Sequence, residues 1–169
     1  MEAEAMPGWS DVADGDLWDA VESLGLVAVN EVYRRHGTAA YRVAVAITQD
    51  AGQAERAVVS VFVRFANGER GDGNRPLRAE LLDATRRCAG DLVNEMAAGL
   101  PPLSSAGPGD VFCCLALEAR STLALAVAGP CGDAEIAQIM GSDASEVRRT
   151  LLAALRQARN LLDAGRLRP

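Results

Sequence analysis

The sequence predicts an all-α protein, and three observations carry that expectation. Aromatic residues are only 4% of a chain that is 49% apolar, so the apolar content is mostly Ala, Leu and Val, a mixture that favours helices over a β-sandwich. Apolar residues recur at three- and four-residue intervals through long segments, which is helical rather than strand periodicity. Glycines, prolines and capping residues fall between those segments, where helices start and stop. A chain of 169 residues can bury one fair-sized core or two small ones.

The opening MEAEAMPGWSDVADGD is acidic and lacks the basic and apolar regions of a signal peptide, so residues 1–15 are expected to be an acidic tail. In DGDLWDAVESLGLVAVNEVYRRHG, Leu17, Val21 and Leu24, then Val29, Val32 and Tyr33, sit at roughly helical spacing, and Gly37 is a natural stop. Two short helices are expected there. TAAYRVAVAITQ is apolar almost all round, as in a helix buried in the middle of a bundle. DAGQAERAVVSVFVRFANG opens with Asp50 and Gln53 in a capping-box arrangement and continues with the stripe Ala54, Ala57, Val58, Val61, Phe62 and Phe65. The loop NGERGDGNR follows, then a helix expected from about Leu77 to Met96 that carries Leu81, Leu82, Cys88 and Leu92.

AAGLPPLSSAGPGD concentrates Pro, Gly and Ser with almost no charge, the composition of a flexible linker. It divides the chain into a helical domain over 16–96, a linker over 97–112 and a second helical domain over 113–165. DVFCCLALEARSTLALAVAG covers one or two helices, the second starting near Glu118 and stopping at Gly129 and Pro130. DAEIAQIM reads as a short helix burying Ile136, Ala137 and Met140, with Gly141 at a turn and a long helix from about Ala144, capped by Asp143 or Ser142. Short helix, glycine turn, longer helix is the order of a helix-turn-helix.

The formal net charge is -6, but residues 134–169 hold six arginines against four acids. All 17 cations are Arg, the side chain suited to forked phosphate contacts, and in an acidic chain any nucleic-acid contact is expected to be local. On the long last helix Val147, Leu151, Ala154, Ala158 and Leu161 form a packing face, with Leu155 and Leu162 at its margin. Opposite them fall Ser145, Arg148, Arg149, Arg156 and Arg159, with Leu152 among them and, on that stripe, no acid before Asp163. A guanidinium row binds phosphates, and the residues near the helix start suit base edges. The plainer alternative is a solvated face that keeps an Ala-rich chain soluble.

No apolar run approaches the roughly 20 residues of a membrane span, so a soluble, cytoplasmic protein is expected, with no membrane and no small-molecule substrate as partner. Cys88, Cys113, Cys114 and Cys131 show neither a CxxC pair nor zinc-site spacing to the single His36. Reduced, mostly packed thiols are expected, with a vicinal redox pair of Cys113 and Cys114 as the alternative, and no metal. One histidine in a YRRHG turn, expected to be a helix-terminal structural residue, builds no catalytic triad, and GERGDGNR has neither the preceding strand nor the lysine of a phosphate loop. Neither an enzyme nor a cofactor site is expected.

Three passages in order resemble the extracytoplasmic-function group of bacterial sigma factors, in which regions 2 and 4 are joined by a linker. DLWDAVESLGLVAVNEVYRRHGTAAYRVAVAITQDAGQAERAVVSVFVRF is similar to the start of region 2, above all in YRRHG, the Ala54 and Glu55 pair and VFVRF. LRAELLDATRRCAGDL is similar to its end, and DAEIAQIMGSDASEVRRTL to the region 4 helix-turn-helix. The resemblance implies a region 2-like domain engaging the polymerase β′ clamp and the -10 element, and a region 4-like domain reading the -35 element. Carried over by position, the -35 contacts are Ser145, Arg148, Arg149 and Leu152, with Arg156 and Arg159 further along the stripe. The clamp-facing surface is Arg56, Val59, Ser60 and Val63. Promoter melting falls to the 67–75 loop and the helix around Arg86 and Arg87.

The chain departs from the family pattern at several places in both halves. Arg56, Val59 and Ser60 stand where the family has Asp, Gln and an acid, and Glu80 stands for its common Trp. NEMAAG replaces a basic run, and Thr150, Ala153 and Leu155 replace arginines. Valines pointing outward suggest an altered partner surface. Two functions therefore compete: a sigma factor that binds core polymerase and promoter DNA, and a sigma-like interaction module that binds an anti-sigma factor or other regulator without reading DNA.

Overall fold

The computed structural model describes residues 12–69, 75–99 and 111–166. Most of the expected acidic tail, the centre of the expected melting loop and most of the expected linker lie outside the described residues. Seven helices and no strand occur among those described: α1 (Asp14–Leu24), α2 (Leu26–Thr48), α3 (Ala51–Ala66), α4 (Leu77–Gly99), α5 (Leu117–Val127), α6 (Asp133–Met140) and α7 (Ala144–Arg166). The protein is all-α, as its composition and periodicity require.

The first difference from expectation is where the N-terminal helices break. Gly37 does not stop a helix; it lies buried inside α2, where a Cβ would come within 3.0 Å of the Tyr33 ring. The break falls at Gly25, whose φ of 54° and ψ of -126° suit only glycine. A mid-helix glycine costs about 1 kcal/mol. One continuous face holding Ala28, Val32, Ala40, Val43, Ala44 and Ile47 at zero exposure outweighs that cost. His36 is consequently mid-helix rather than helix-terminal, buried with Nε2 2.9 Å from Asp14 of α1. Burial holds its pKa below the ordinary histidine value, against the pull of Asp14.

At the start of α3 the capping box is half formed. Asp50 Oδ1 accepts from the Gln53 backbone N–H at 2.7 Å, but the Gln53 side chain accepts from Arg56 instead of turning back, and the Asp50 N–H donates to Thr48. The expected α3 stripe, Ala54 through Phe65, is buried throughout. Between 111 and 129 only α5 is helical, with hydrogen-bonded turns leading into it. In α6, Ile139 rather than Met140 completes the buried set with Ile136 and Ala137, and Met140 is half-buried.

One core cluster runs through both halves of the chain, from Leu17, Val43, Phe62 and Leu82 to Leu125, Ile136 and Val147. α5 packs on α2 and α6 on α4. Polar contacts cross the same joint. Arg78 of α4 donates to Glu135 and to the Gly129 carbonyl, and Arg75 reaches the Gln138 carbonyl. A small satellite cluster of Leu115, Leu123 and Ala154, covered by Phe112, seats α7 on α5. No helix among the described residues is long and apolar enough to cross a membrane.

Candidate nucleic-acid interface and partner groove

α6 and α7 meet at a tight turn because Gly141 takes the left-handed conformation (φ 66°, ψ 34°) and the Ser142 N–H closes back on the Ala137 carbonyl. Asp143 then starts α7. Its Oδ1 accepts from the Ser145 hydroxyl and from the backbone N–H groups of Ser145 and Glu146, at 2.8 and 2.9 Å for the latter two. The Ser145 hydroxyl, followed by the Glu146 N–H, holds the Asp143 carboxyl below the usual carboxylate range. Val147 and Ala154 are buried on the packing side, whereas Leu155 and Leu162 at its margin are exposed.

The opposite side presents the expected residues to solvent. Arg148, Arg149, Leu152, Arg156 and Arg159 are all exposed on α7. Their charges are less free than α7 alone suggests. Arg148 Nε donates to Asp133 of α6 at 2.6 Å, Arg149 Nη2 donates to Glu146 at 3.2 Å, and Arg159 lies 3.7 Å from Asp163. The acid-free stripe is therefore corrected: Asp133 belongs to the neighbouring helix and could not appear in a projection of α7. Ser145 is turned toward Asp143, so its hydroxyl proton is already engaged.

Arg86 and Arg87 converge on one buried carboxylate. Asp83 accepts from Arg86 at 2.7 Å and Arg75 at 3.1 Å, with Arg87 3.4 Å away. Arg86 is largely buried by this, while Arg87 is exposed and lines a cleft of about 630 Å³ with Trp18, Phe65, Arg64 and Cys88. The Trp18 and Phe65 rings meet there at a tilt of 48°, with centroids 4.7 Å apart.

A second feature lies between α2 and α3. Val59 and Val63 are 61% and 52% exposed, and Leu26 is 78% exposed. With Tyr33 they rim a groove of about 300 Å³ floored by Val58 and Phe62, in which Glu55 is the charged lining group. The Phe62 ring meets Tyr33 edge-on at 5.1 Å. Arg56 and Ser60 are exposed beside the groove rather than in its lining. Tyr33, which shares the helical spacing of Val29 and Val32 in the sequence, is 54% exposed here, on the outward side of the α2 that starts after Gly25.

No family model matches the sequence, and no curated protein matches it. Among solved structures, the chain is similar to CnrH in the structure of CnrH in complex with the cytosolic domain of CnrY. The TM-score is 0.71 at 22% identity, over 90% of this chain and 99% of that one. The fold is sigma-like. CnrH is a sigma factor of the extracytoplasmic-function group, and at this identity the likeness concerns the arrangement of helices.

Proposed function

We propose that the protein is a transcription regulator of the extracytoplasmic-function sigma type, which binds core RNA polymerase and contacts promoter DNA through α6 and α7. The observation that carries this reading is the exposed arginine face of α7, set immediately after a tight glycine turn in a sigma-like fold. In this reading Arg148, Arg149, Leu152 and Ser145 meet the -35 element, and Arg156 and Arg159 meet phosphates further along. Arg86, Arg87 and the 67–75 loop act at the melting region, and Arg56, Val59, Ser60 and Val63 face the β′ clamp. Such a protein acts in the cytoplasm and needs no catalytic residue or cofactor of its own.

The α2/α3 groove favours a second reading, in which the fold serves as a scaffold for a regulatory protein such as an anti-sigma factor. Exposed valines and Leu26 suit a protein partner better than a phosphate backbone. CnrH itself is in complex with the cytosolic domain of CnrY.

Co-purification of the tagged protein from its native host, probed for the β′ subunit and followed by mapping of associated DNA, separates the two. Recovery of polymerase with a defined upstream motif supports the first reading. Recovery of another protein, with neither polymerase nor DNA, supports the second. Arg148→Ala with Arg149→Ala is expected to weaken DNA binding and flatten its salt dependence with the fold intact. Val59→Glu is expected to release a protein partner.

A further inference from the structure

The geometry points to Asp133 as a positioning residue that sets base preference at the DNA interface: it grips Arg148 so that the guanidinium offers its two Nη nitrogens, as a fork, to guanine. The inference rests on the DNA-contacting reading above and adds to it a residue from α6 and the base it selects.

Asp133 opens α6 and Arg148 lies in the second turn of α7, 15 residues later. The grip is specific in its atoms. Arg148 Nε donates to Asp133 Oδ2 at 2.6 Å, and among the described residues neither Nη nitrogen of Arg148 has a partner. An arginine held at Nε has one direction left for a two-pronged contact, straight ahead through Nη1 and Nη2. Guanine presents two adjacent acceptors, O6 and N7, in the major groove, which match that fork, whereas adenine presents an acceptor beside a donor. The neighbouring arginines are held differently. Arg149 uses an Nη nitrogen on Glu146, which occupies one prong, and Arg159 stands 3.7 Å from Asp163, too far for a hydrogen bond.

Stability does not account for the pair. The Arg148 side chain is 68% exposed and that of Asp133 is 37% exposed, and ion pairs in such positions contribute little to folding. What the pair does is restrict a long side chain before any ligand arrives, which favours one binding geometry over the many a free guanidinium explores. Asp133 also sets a negative charge beside the phosphates, so it lowers affinity for DNA in general while it sharpens the choice of base.

The test uses the full chain. Duplexes are selected from a library with randomised central positions, and affinities for the selected duplex and its single-base substitutes are read by fluorescence anisotropy. Asp133→Asn, nearly the same shape without the charge, is expected to lower the preference for guanine about tenfold and to raise affinity for an unrelated duplex. Arg148→Lys should lose the same preference, and the double variant no more than either single one. Asp133→Glu, which keeps the carboxylate, should restore much of it. Thermal unfolding at the wild-type midpoint in each variant separates these effects from a folding defect. An equal guanine preference in wild type and Asp133→Asn overturns the role of Asp133 and leaves the DNA reading standing. A wild-type protein without any sequence preference overturns both.

Discussion

The buried guanidinium of Arg120 in α5 donates through Nη1 to the carbonyl of Ile47 in the last turn of α2, 3.1 Å away and 73 residues earlier in the chain. Nη2 donates to the Cys113 and Leu115 carbonyls. No carboxylate among the described residues pairs with it. Its charge rests on neutral carbonyls and on the negative end of the α2 dipole. Arg120→Ala strips two buried acceptors and one part-buried acceptor of their donor, and we expect it to cost about 2–4 kcal/mol in urea unfolding. An unchanged unfolding midpoint would refute this account of the joint.

Gly129 makes the same joint close. A Cβ there would lie 2.9 Å from the Leu125 carbonyl oxygen and 3.0 Å from a Val43 methyl. One of those neighbours is backbone and cannot yield cheaply. Gly129→Ala is expected to destabilise by about 1–3 kcal/mol, whereas Gly132→Ala, with nothing within 4 Å of the new methyl, should leave the melting temperature close to wild type.

Glu31 holds two arginines at once, Arg34 through both its oxygens and Arg35 through Oε1 at 2.8 Å. Hydrogen bonds from Arg34 first and Arg35 second lower its pKa from 4.5 to about 2. The depressed folded-state value means that the unfolded chain binds the proton more readily. The contribution is whole above pH 4.5 and disappears as pH falls toward 2. Stability measured across that window should drop in wild type and drop less steeply in Glu31→Gln. Parallel acid limbs in the two proteins would contradict the assignment.

Thiol reactivity should follow burial. Cys131 is buried beside Gly129, and desolvation, then the charge of Glu135, pushes its thiol up to about 11 despite Arg78. Cys114 is exposed. Iodoacetamide should therefore label Cys114 well before Cys131 in the native protein. Peptide mapping that finds Cys131 labelled first would be inconsistent with the packed joint.

Most helices were legible because each carries its own periodic stripe and stop signal. The buried set of α3 and the Gly141 turn both follow from spacing alone. What the sequence hid was relational. Gly37 looks like a stop until the Tyr33 ring is seen beside it, and Gly25 gives no stronger local signal than Gly37. The arginine face of α7 is visible as a stripe, but the pairing of Arg148 with Asp133 depends on how α6 turns into α7. Val59 and Val63 were readable as outward residues from their angle to the α3 stripe. Leu26 and Tyr33, which complete their groove, were not, since their orientation depends on a dihedral at Gly25. Arg120 carries no sequence signal of burial at all, because arginine is ordinarily a surface residue.

The shared core and the Arg120 and Arg78 contacts bear on engineering. A C-terminal unit that merely hung from a tether could be exchanged for that of another protein without regard to the rest of the chain. Here a transplanted C-terminal half would have to bring residues complementary to the end of α2 and to the α4 face. Chimeras should therefore carry α2, α4 and α5 to α7 from one parent, and the points of exchange belong outside that set.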